Sequence, residues 1–243
     1  MATAQFNLKD FQIVTFDVWN TLIVANPEFS RLRTEEIAAA YGITFEEAKE
    51  AYTSVKHFLD QSAEIASVCM STQQCWLLLN TTIQRLRRKQ GLDHIPVDVF
   101  GLSARCNELF RQNLPKFTAE TKAVLRGLKE AGKVVGIISN TNFIPGGLLW
   151  EELFMDLDIF AEPFFSDQAL LPKPHKHVFS QVRVNMVEAY WETVNVNVTA
   201  SSLKCLHVGD NLVCDGGAIK DGYSFQHVDN PDNLVEIFKE MGI

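Results

Sequence analysis

Ile13-Val14-Thr15-Phe16-Asp17-Val18-Trp19-Asn20-Thr21 is the stretch whose reading decides the fold. Its first four residues are apolar or β-branched, and the run stops at a carboxylate. A short run with no clear alternation is what a strand covered on both faces looks like. Two later runs repeat the pattern. Val134-Val135-Gly136-Ile137-Ile138 stops at Ser139-Asn140, and Cys205-Leu206-His207-Val208 stops at Gly209-Asp210. Helical patterns separate them. Thr118 is placed to cap a helix carrying Val124, Leu125, Leu128 and Ala131, with Gly132 ending it, and Asn230-Pro231 starts a last helix with proline at its first position. Strands alternating with helices predict an α/β fold with a doubly wound, mostly parallel sheet. Sites in such sheets lie outside the carboxyl ends of the strands. The polar residues that follow the three runs are therefore expected to converge.

Residues 26–115 read differently. Ser30 opens a helical stretch ending near Gly42, and Thr44 with Glu47 and Ser71 with Gln74 have capping-box spacing. Gly91 ends a third helix, and Pro96 precedes a fourth. No strand interrupts the block. The expected organisation is a core of residues 1–25 and 116–243, with 26–115 as a small all-helical lid inserted after the first strand. Trp76, Leu77, Leu78 and Leu79 read as lid core. The basic run Arg85, Arg87, Arg88 and Lys89 reads as a solvated face, and Arg31 and Arg33 sit where they could reach the cleft. In 191–203, Val194, Val196 and Val198 alternate like an edge strand, while the asparagines between them fit a loop equally well.

Composition narrows the function classes. The formal charge of −8 on 243 residues supplies no broad basic face for a nucleic acid, although a few local donors suffice to hold one small anion. No apolar stretch of about 18 residues is present to span a membrane. The start MATAQFNLKDF lacks the basic flank and apolar run of a signal peptide. Cys69, Cys75, Cys106, Cys205 and Cys214 form no CxxC pair, so free thiols in a cytoplasmic protein are expected. Asn197-Val198-Thr199 fits a glycosylation pattern and, without an export signal, is read as chance. The pattern leaves the oligomeric state open.

Four local signals carry chemistry when taken in order. They are Asp17-Val18-Trp19-Asn20-Thr21, Ser139-Asn140, Lys173 within Leu171-Pro172-Lys173-Pro174, and Gly209-Asp210 with Asp215 five residues beyond Asp210. In this order, three of them directly after predicted strands, the chain resembles the haloacid dehalogenase superfamily of hydrolases. The resemblance covers roughly 8–25 and 116–243, and the helical block sits where that family places a helical cap. It implies a Rossmann-like core and the following roles. Asp17 matches the nucleophile that forms a covalent aspartyl intermediate. Ser139 matches the hydroxyl that binds the transferring group, and Lys173 the lysine that offsets negative charge. Asp210 matches a magnesium ligand, alongside Asp17 and the backbone carbonyl of Trp19. Asp215 matches a second acid that helps to hold the metal or the lysine. Thr21 and Asn140 are the candidate substrate-binding side chains.

The chemistry is consistent with those roles. A carboxylate nucleophile splits one difficult displacement into two steps. Its attack on a phosphate dianion needs charge neutralisation, which Mg²⁺ provides from one or two carboxylates and substrate oxygens. Lysine and hydroxyl donors add to it. The expectation is a Mg²⁺-dependent phosphatase of a small phosphorylated metabolite.

One position departs from the family's phosphatases. They carry a second Asp two residues after the nucleophile to protonate the leaving group, and this chain has Trp19, whose indole is a donor only. A positioned general acid is worth ~10²–10⁴-fold. Haloacid dehalogenases place an aromatic residue there and work without metal, so a 2-haloacid dehalogenase is the rival expectation. Against it, their fourth motif usually reads Ser-Asn where this chain has Gly209-Asp210, and Asn20 replaces their usual glycine. A third expectation is a catalytically weak binding or regulatory module that keeps the fold. His175 and His177 are expected at a helix start, His207 as a satisfied residue inside a strand, and Cys214 as no nucleophile.

Overall fold

The three apolar runs form neighbouring parallel strands. The computed structural model describes residues 6–161 and 163–242. β1 (Ile13–Phe16) lies between β2 (Val134–Ser139) and β4 (Cys205–Gly209). Two short strands complete the sheet at its edges, β3 (Phe164–Phe165) beside β2 and β5 (Ser224–His227) beside β4. The order β3-β2-β1-β4-β5 is parallel throughout, with Phe16 level with Ile137 and Val208. The order reverses at β1, and a cleft opens beyond the strand ends at such a reversal.

Pleating divides the central residues between two cores. Val14, Phe16, Val135, Ile137, Leu206 and Val208 pack against α5 (Ala119–Glu130) and α9 (Leu234–Glu240). Ile13, Val134, Ile138 and Cys205 face α8 (Lys176–Val194) through Val178, Phe179, Val182 and Met186. With helices on both faces, every residue of β1, β2 and β4 is buried, which is why these runs do not alternate. Burying a side chain such as Phe238 stabilises the fold by roughly 1.5–3 kcal/mol. Gly136 is small for a reason: a Cβ there would lie 2.5 Å from Met186 Cε and 3.3 Å from Thr15 Cγ2.

Between β1 and α5 run α1 (Pro27–Tyr41), α2 (Phe45–Ala66), α3 (Thr72–Lys89) and α4 (Val99–Gln112). Both capping boxes form, Thr44 with Glu47 and Ser71 with Gln74. The first helix starts at Pro27, capped by Asn26, three residues before Ser30; proline is favoured at a first helical position. The four helices bury a core of their own, including Ile37, Tyr52, Trp76 and Leu79. One residue from the main body enters it. Phe143, in the loop after β2, stacks 4.5 Å from the Tyr52 ring and meets the Trp76 ring edge-on at 5.2 Å. Its carbonyl accepts the Trp76 indole N–H at 3.2 Å.

Two expectations need correction. Leu77 is exposed and lies outside the lid core that holds Trp76 and Leu79. Arg87 is not on a solvated face: it is buried, and its guanidinium donates to the carbonyls of Tyr41 (2.8 Å) and Asp93 (3.1 and 3.2 Å). A guanidinium's several donors suit it to collecting the unpaired carbonyls of a helix end and a neighbouring loop. Of the two readings open for 191–203, the loop holds at 195–199, while Val194 belongs to α8, which Asn195 ends in a left-handed conformation. The last helix is preceded by a 3₁₀ turn, Pro231–Asn233. All five cysteines are free thiols, and among the described residues no helix is long and apolar enough to cross a membrane.

Phe143 is the aromatic plug that joins the two bodies. Phe143→Ala is expected to lower unfolding stability by about 3–5 kcal/mol, measured by urea denaturation.

Candidate active site

The cleft is built on the end of β1. The Asp17 N–H donates to the Val208 carbonyl at 2.9 Å, which carries the strand ladder one residue further and fixes the Asp17 backbone. The chain then turns back on itself. The Ile23 N–H donates to the Val18 carbonyl (3.1 Å) and the Asn20 N–H to the Ile23 carbonyl (2.8 Å), with Asn20 left-handed at φ 57°. Asn tolerates this conformation better than most residues. The turn aims the Asn20 amide at Asp210, to which it donates at 3.1 Å.

Lys173 reaches the same point from the loop before α8. Its ammonium donates to Asp17 Oδ1 at 2.7 Å and to Asp215 Oδ1 at 2.5 Å, and all three side chains are almost wholly buried. Asn140 holds the lysine's backbone from both sides: its amide donates to the Lys173 carbonyl (2.9 Å) and its carbonyl accepts the Lys173 N–H (2.8 Å). Asp215 is engaged at both oxygens. Oδ1 also meets His207 Nε2 at 3.0 Å, and Oδ2 accepts the Asn211 N–H at 3.0 Å. His207 Nδ1 in turn meets the Thr15 hydroxyl at 2.9 Å. The sheet thus holds the imidazole, the imidazole Asp215, and Asp215 the lysine. Gly209 leaves space for this arrangement, because a Cβ there would come within 2.3 Å of the Asp215 carboxylate.

Charge does not balance. Asp17, Asp210 and Asp215 each bring a carboxylate oxygen to within 4.8 Å of the others, and among the described residues Lys173 is the one cation bonded into the group. Burial pushes Asp17 up, and Asp215 and Asp210 add to the effect against the pull of Lys173, giving about 7. Asp215 keeps the lysine's charge: burial opposes ionisation there, yet Lys173 and His207 hold its pKa below the usual carboxylate range. Burial also raises Asp210. Burial works against the Lys173 ammonium, and the carboxylates of Asp17 and Asp215 outweigh it. Burial lowers His207, which keeps the imidazole neutral.

Above these residues lies a cavity of about 400 Å³. Asp17, Trp19, Asn140, Lys173 and Asp210 border it from the sheet side, and Phe29, Arg33, Tyr52 and Glu64 from α1 and α2. Side chains bridge the two sides. The Asn142 amide donates to Asp60 at 2.9 Å and the Asn211 amide to Glu64 at 2.9 Å, while Thr72 donates to Asp167 at 3.4 Å.

The structure brings Asp17, Trp19, Asn140, Lys173, Asp210 and Asp215 together. Two expected substrate contacts lie off the cavity wall. Ser139 is still a strand residue, level with Phe165, and its buried hydroxyl donates only to the Asn140 carbonyl at 3.5 Å. Thr21 is buried within the turn, and its hydroxyl has no partner among the described residues. Asp215 acts on the lysine, since donors already occupy both its oxygens. His175 caps α8, as its place before the helix suggested. Burial pushes the Cys214 thiol up to about 12, which leaves no thiolate nucleophile there.

Sequence reading missed Asn20 as a partner of Asp210; it placed His207 correctly as a satisfied strand residue without identifying Asp215 as its partner. The signal for His207 was available: a strand histidine eight residues before an acid, flanked by Gly209. The α2 residues that line the cavity carry no local signature, because any polar helix face looks like theirs.

A family profile for haloacid dehalogenase-like hydrolases matches residues 11–222. No curated protein sequence matches the chain. Among solved structures the chain is similar to YfnB of Bacillus subtilis, assigned as a HAD-hydrolase and crystallised with magnesium, at 17% identity and a TM-score of 0.64, covering 94% of this chain and 99% of that one. It is also similar to the 2-haloacid dehalogenase of Pseudomonas syringae pv. Tomato, with 18% identity, a TM-score of 0.56 and coverage of 94% and 98%. A predicted phosphoglycolate phosphatase from Haemophilus somnus gives 17% identity, a TM-score of 0.54 and coverage of 90% and 85%. With the profile spanning most of the sequence, the chain belongs to the haloacid dehalogenase-like hydrolases.

Proposed function

We propose that this hydrolase is a Mg²⁺-dependent phosphatase of a small phosphorylated metabolite, with Asp17 as nucleophile. The observation that carries the reading is the surplus of negative charge at the strand ends. Three carboxylates meet around one ammonium, and Asp17 is left with a pKa of about 7. The donors there are hard oxygens, the set that a magnesium ion takes. Asp17, Asp210 and the Trp19 carbonyl would hold the ion. When bound it would neutralise the carboxylates and polarise the phosphoryl oxygens.

The protein's own residues do the rest. Lys173 fixes one Asp17 oxygen at 2.7 Å, which restrains the carboxylate that would attack. The same ammonium offsets charge on the transferring group. Asn140 and Asp215 keep that lysine in place. The block α1–α4 serves as a lid that excludes bulk water and shapes the substrate's far side. A cytoplasmic setting accords with five free thiols.

Trp19 supports a second reading. An indole lines the cavity where a phosphatase general acid would stand, and a halide leaves without a proton. A metal-independent 2-haloacid dehalogenase would use the same nucleophile.

Chelation separates the two readings. EDTA is expected to abolish phosphatase turnover; halide release from 2-chloropropionate that survives EDTA would establish the dehalogenase.

Because no carboxylic acid stands at position 19, aryl and acyl phosphates should turn over faster than alkyl phosphates. Trp19→Asp is expected to raise kcat on alkyl phosphates by about 10-fold or more. Equal rates of the native enzyme on both classes would point to another acid.

Metal binding should also respond to pH. Asp17 must be ionised to act as a ligand, and in the metal-free protein it holds its proton up to about pH 7. Mg²⁺ affinity is expected to rise with pH through that range and then level off. At pH 6 binding should release about one proton, read by calorimetry in buffers of different ionisation enthalpy. Release of no proton would mean that Asp17 is already ionised or does not bind the ion.

A further inference from the structure

Arg33 is the charged residue of the cavity that, among the described residues, has neither a hydrogen bond nor an ion pair. It comes from α1 and borders the same cavity as Asp17 and Lys173. Its guanidinium lies over the Tyr52 ring at 3.7 Å and near the Phe29 ring at 5.2 Å. Its Nε is buried without a hydrogen-bond partner, and among the described residues Arg33 makes no ion pair. The cavity's other charged lid residues are matched. Lys56 pairs with Asp60 at 2.6 Å, Asp60 also accepts from Asn142, and Glu64 accepts from Asn211. Arg31, its neighbour, is exposed and pairs with Glu28 and Glu35.

A buried donor left without an acceptor in a folded protein calls for a reason. Aromatic stacking covers the faces of the guanidinium and satisfies none of its N–H groups. Those groups lie in one plane at the edge of the fork, where a planar two-oxygen acceptor is matched best. Phe29, Phe110 and Ile144 supply apolar lining to the same cavity. Asp60 and Glu64 border the same cavity, so the single charge of a carboxylate is met there at less cost than the two of a second phosphate.

We propose that Arg33 anchors a carboxylate of the substrate, so that the site takes small phosphate esters or acyl phosphates bearing a carboxyl group. This rests on the phosphatase reading for the other end of the substrate. Arg33 is then a specificity-determining residue. It binds the part of the molecule that does not react, while Asp17 and Lys173 handle the part that does. Arg31 and the solvated arginines of the lid have no such part.

Calorimetric binding to the magnesium-loaded protein tests the assignment without requiring turnover. Methylphosphonate, phosphonoacetate and 3-phosphonopropionate are compared, with methylenediphosphonate as the second-phosphate arm. The native protein should bind the better carboxylated phosphonate at least ~10-fold more tightly than methylphosphonate. Arg33→Met keeps the apolar stem and should erase that preference; Arg33→Lys keeps the charge without the fork and should retain part of it. A preference that persists in Arg33→Met, or is missing from the native protein, overturns the proposal. If Arg33→Met does not fold, Arg33→Lys decides: a weakened preference supports the anchor and an unchanged one overturns it. Methylenediphosphonate binding as tightly as the carboxylated probes would overturn the choice of carboxylate. If methylphosphonate fails to bind while phosphonoacetate binds through Arg33, the phosphatase reading falls and the anchor stands.

Discussion

One ammonium shared by two buried carboxylates organises this molecule. Lys173 bonds Asp17 on one side and Asp215 on the other, with all three side chains almost wholly buried. Burying charges is costly unless each is paired and hydrogen-bonded. Every neighbouring feature serves that condition. Asn140 clamps the lysine backbone, His207 and the Asn211 N–H complete Asp215, and Thr15 completes His207. Loss of one member would leave another charged and unanswered, so the group acts as a unit and not as a set of separable contacts.

The pairing is deliberately unequal. Asp215 has three donors and stays ionised, whereas Asp17 shares one cation among carboxylate neighbours and is pushed toward neutrality. Two similar side chains a few ångströms apart thus receive different properties from their surroundings. Asp215 holds the lysine, and the lysine holds Asp17, the proposed nucleophile. The leftover repulsion among the carboxylates is the link between this buried network and the metal chemistry proposed for it.

The helical block completes the site from the opposite side. It has its own apolar core, yet Phe143 from the sheet side is planted in it, and three polar bridges span the cleft. The cavity between the two bodies joins the polar strand ends to a wall of mixed aromatic and charged side chains. Such a division suits a ligand with one reacting end and one recognised end.

Strand and helix placement was legible in the sequence because it depends on local rules. Continuous apolar runs mark strands covered on both faces, and capping boxes mark helix starts. Asp17, Asn140, Lys173 and Asp210 were legible too, since each follows a strand or lies in a recognisable short motif in a fixed order along the chain. Helix ends could shift by a few residues, as at Pro27, because Asn26 and Ser30 are both acceptable caps and only packing chooses between them.

Tertiary structure decided the remainder. Whether Ser139 faces the cavity depends on the pleat at the last paired residue of β2, and no residue type reveals it. That Arg87 is buried while Arg31 is exposed depends on which carbonyls and carboxylates the folded helices bring within reach. The sequence by itself determined the parallel sheet, the helical insertion and the order of the acids, because these follow from neighbours along the chain. Only the folded structure decided which acid keeps the lysine, which histidine supports it and which arginine is left unpaired, because these depend on distances between residues far apart in sequence and on the loss of water around them.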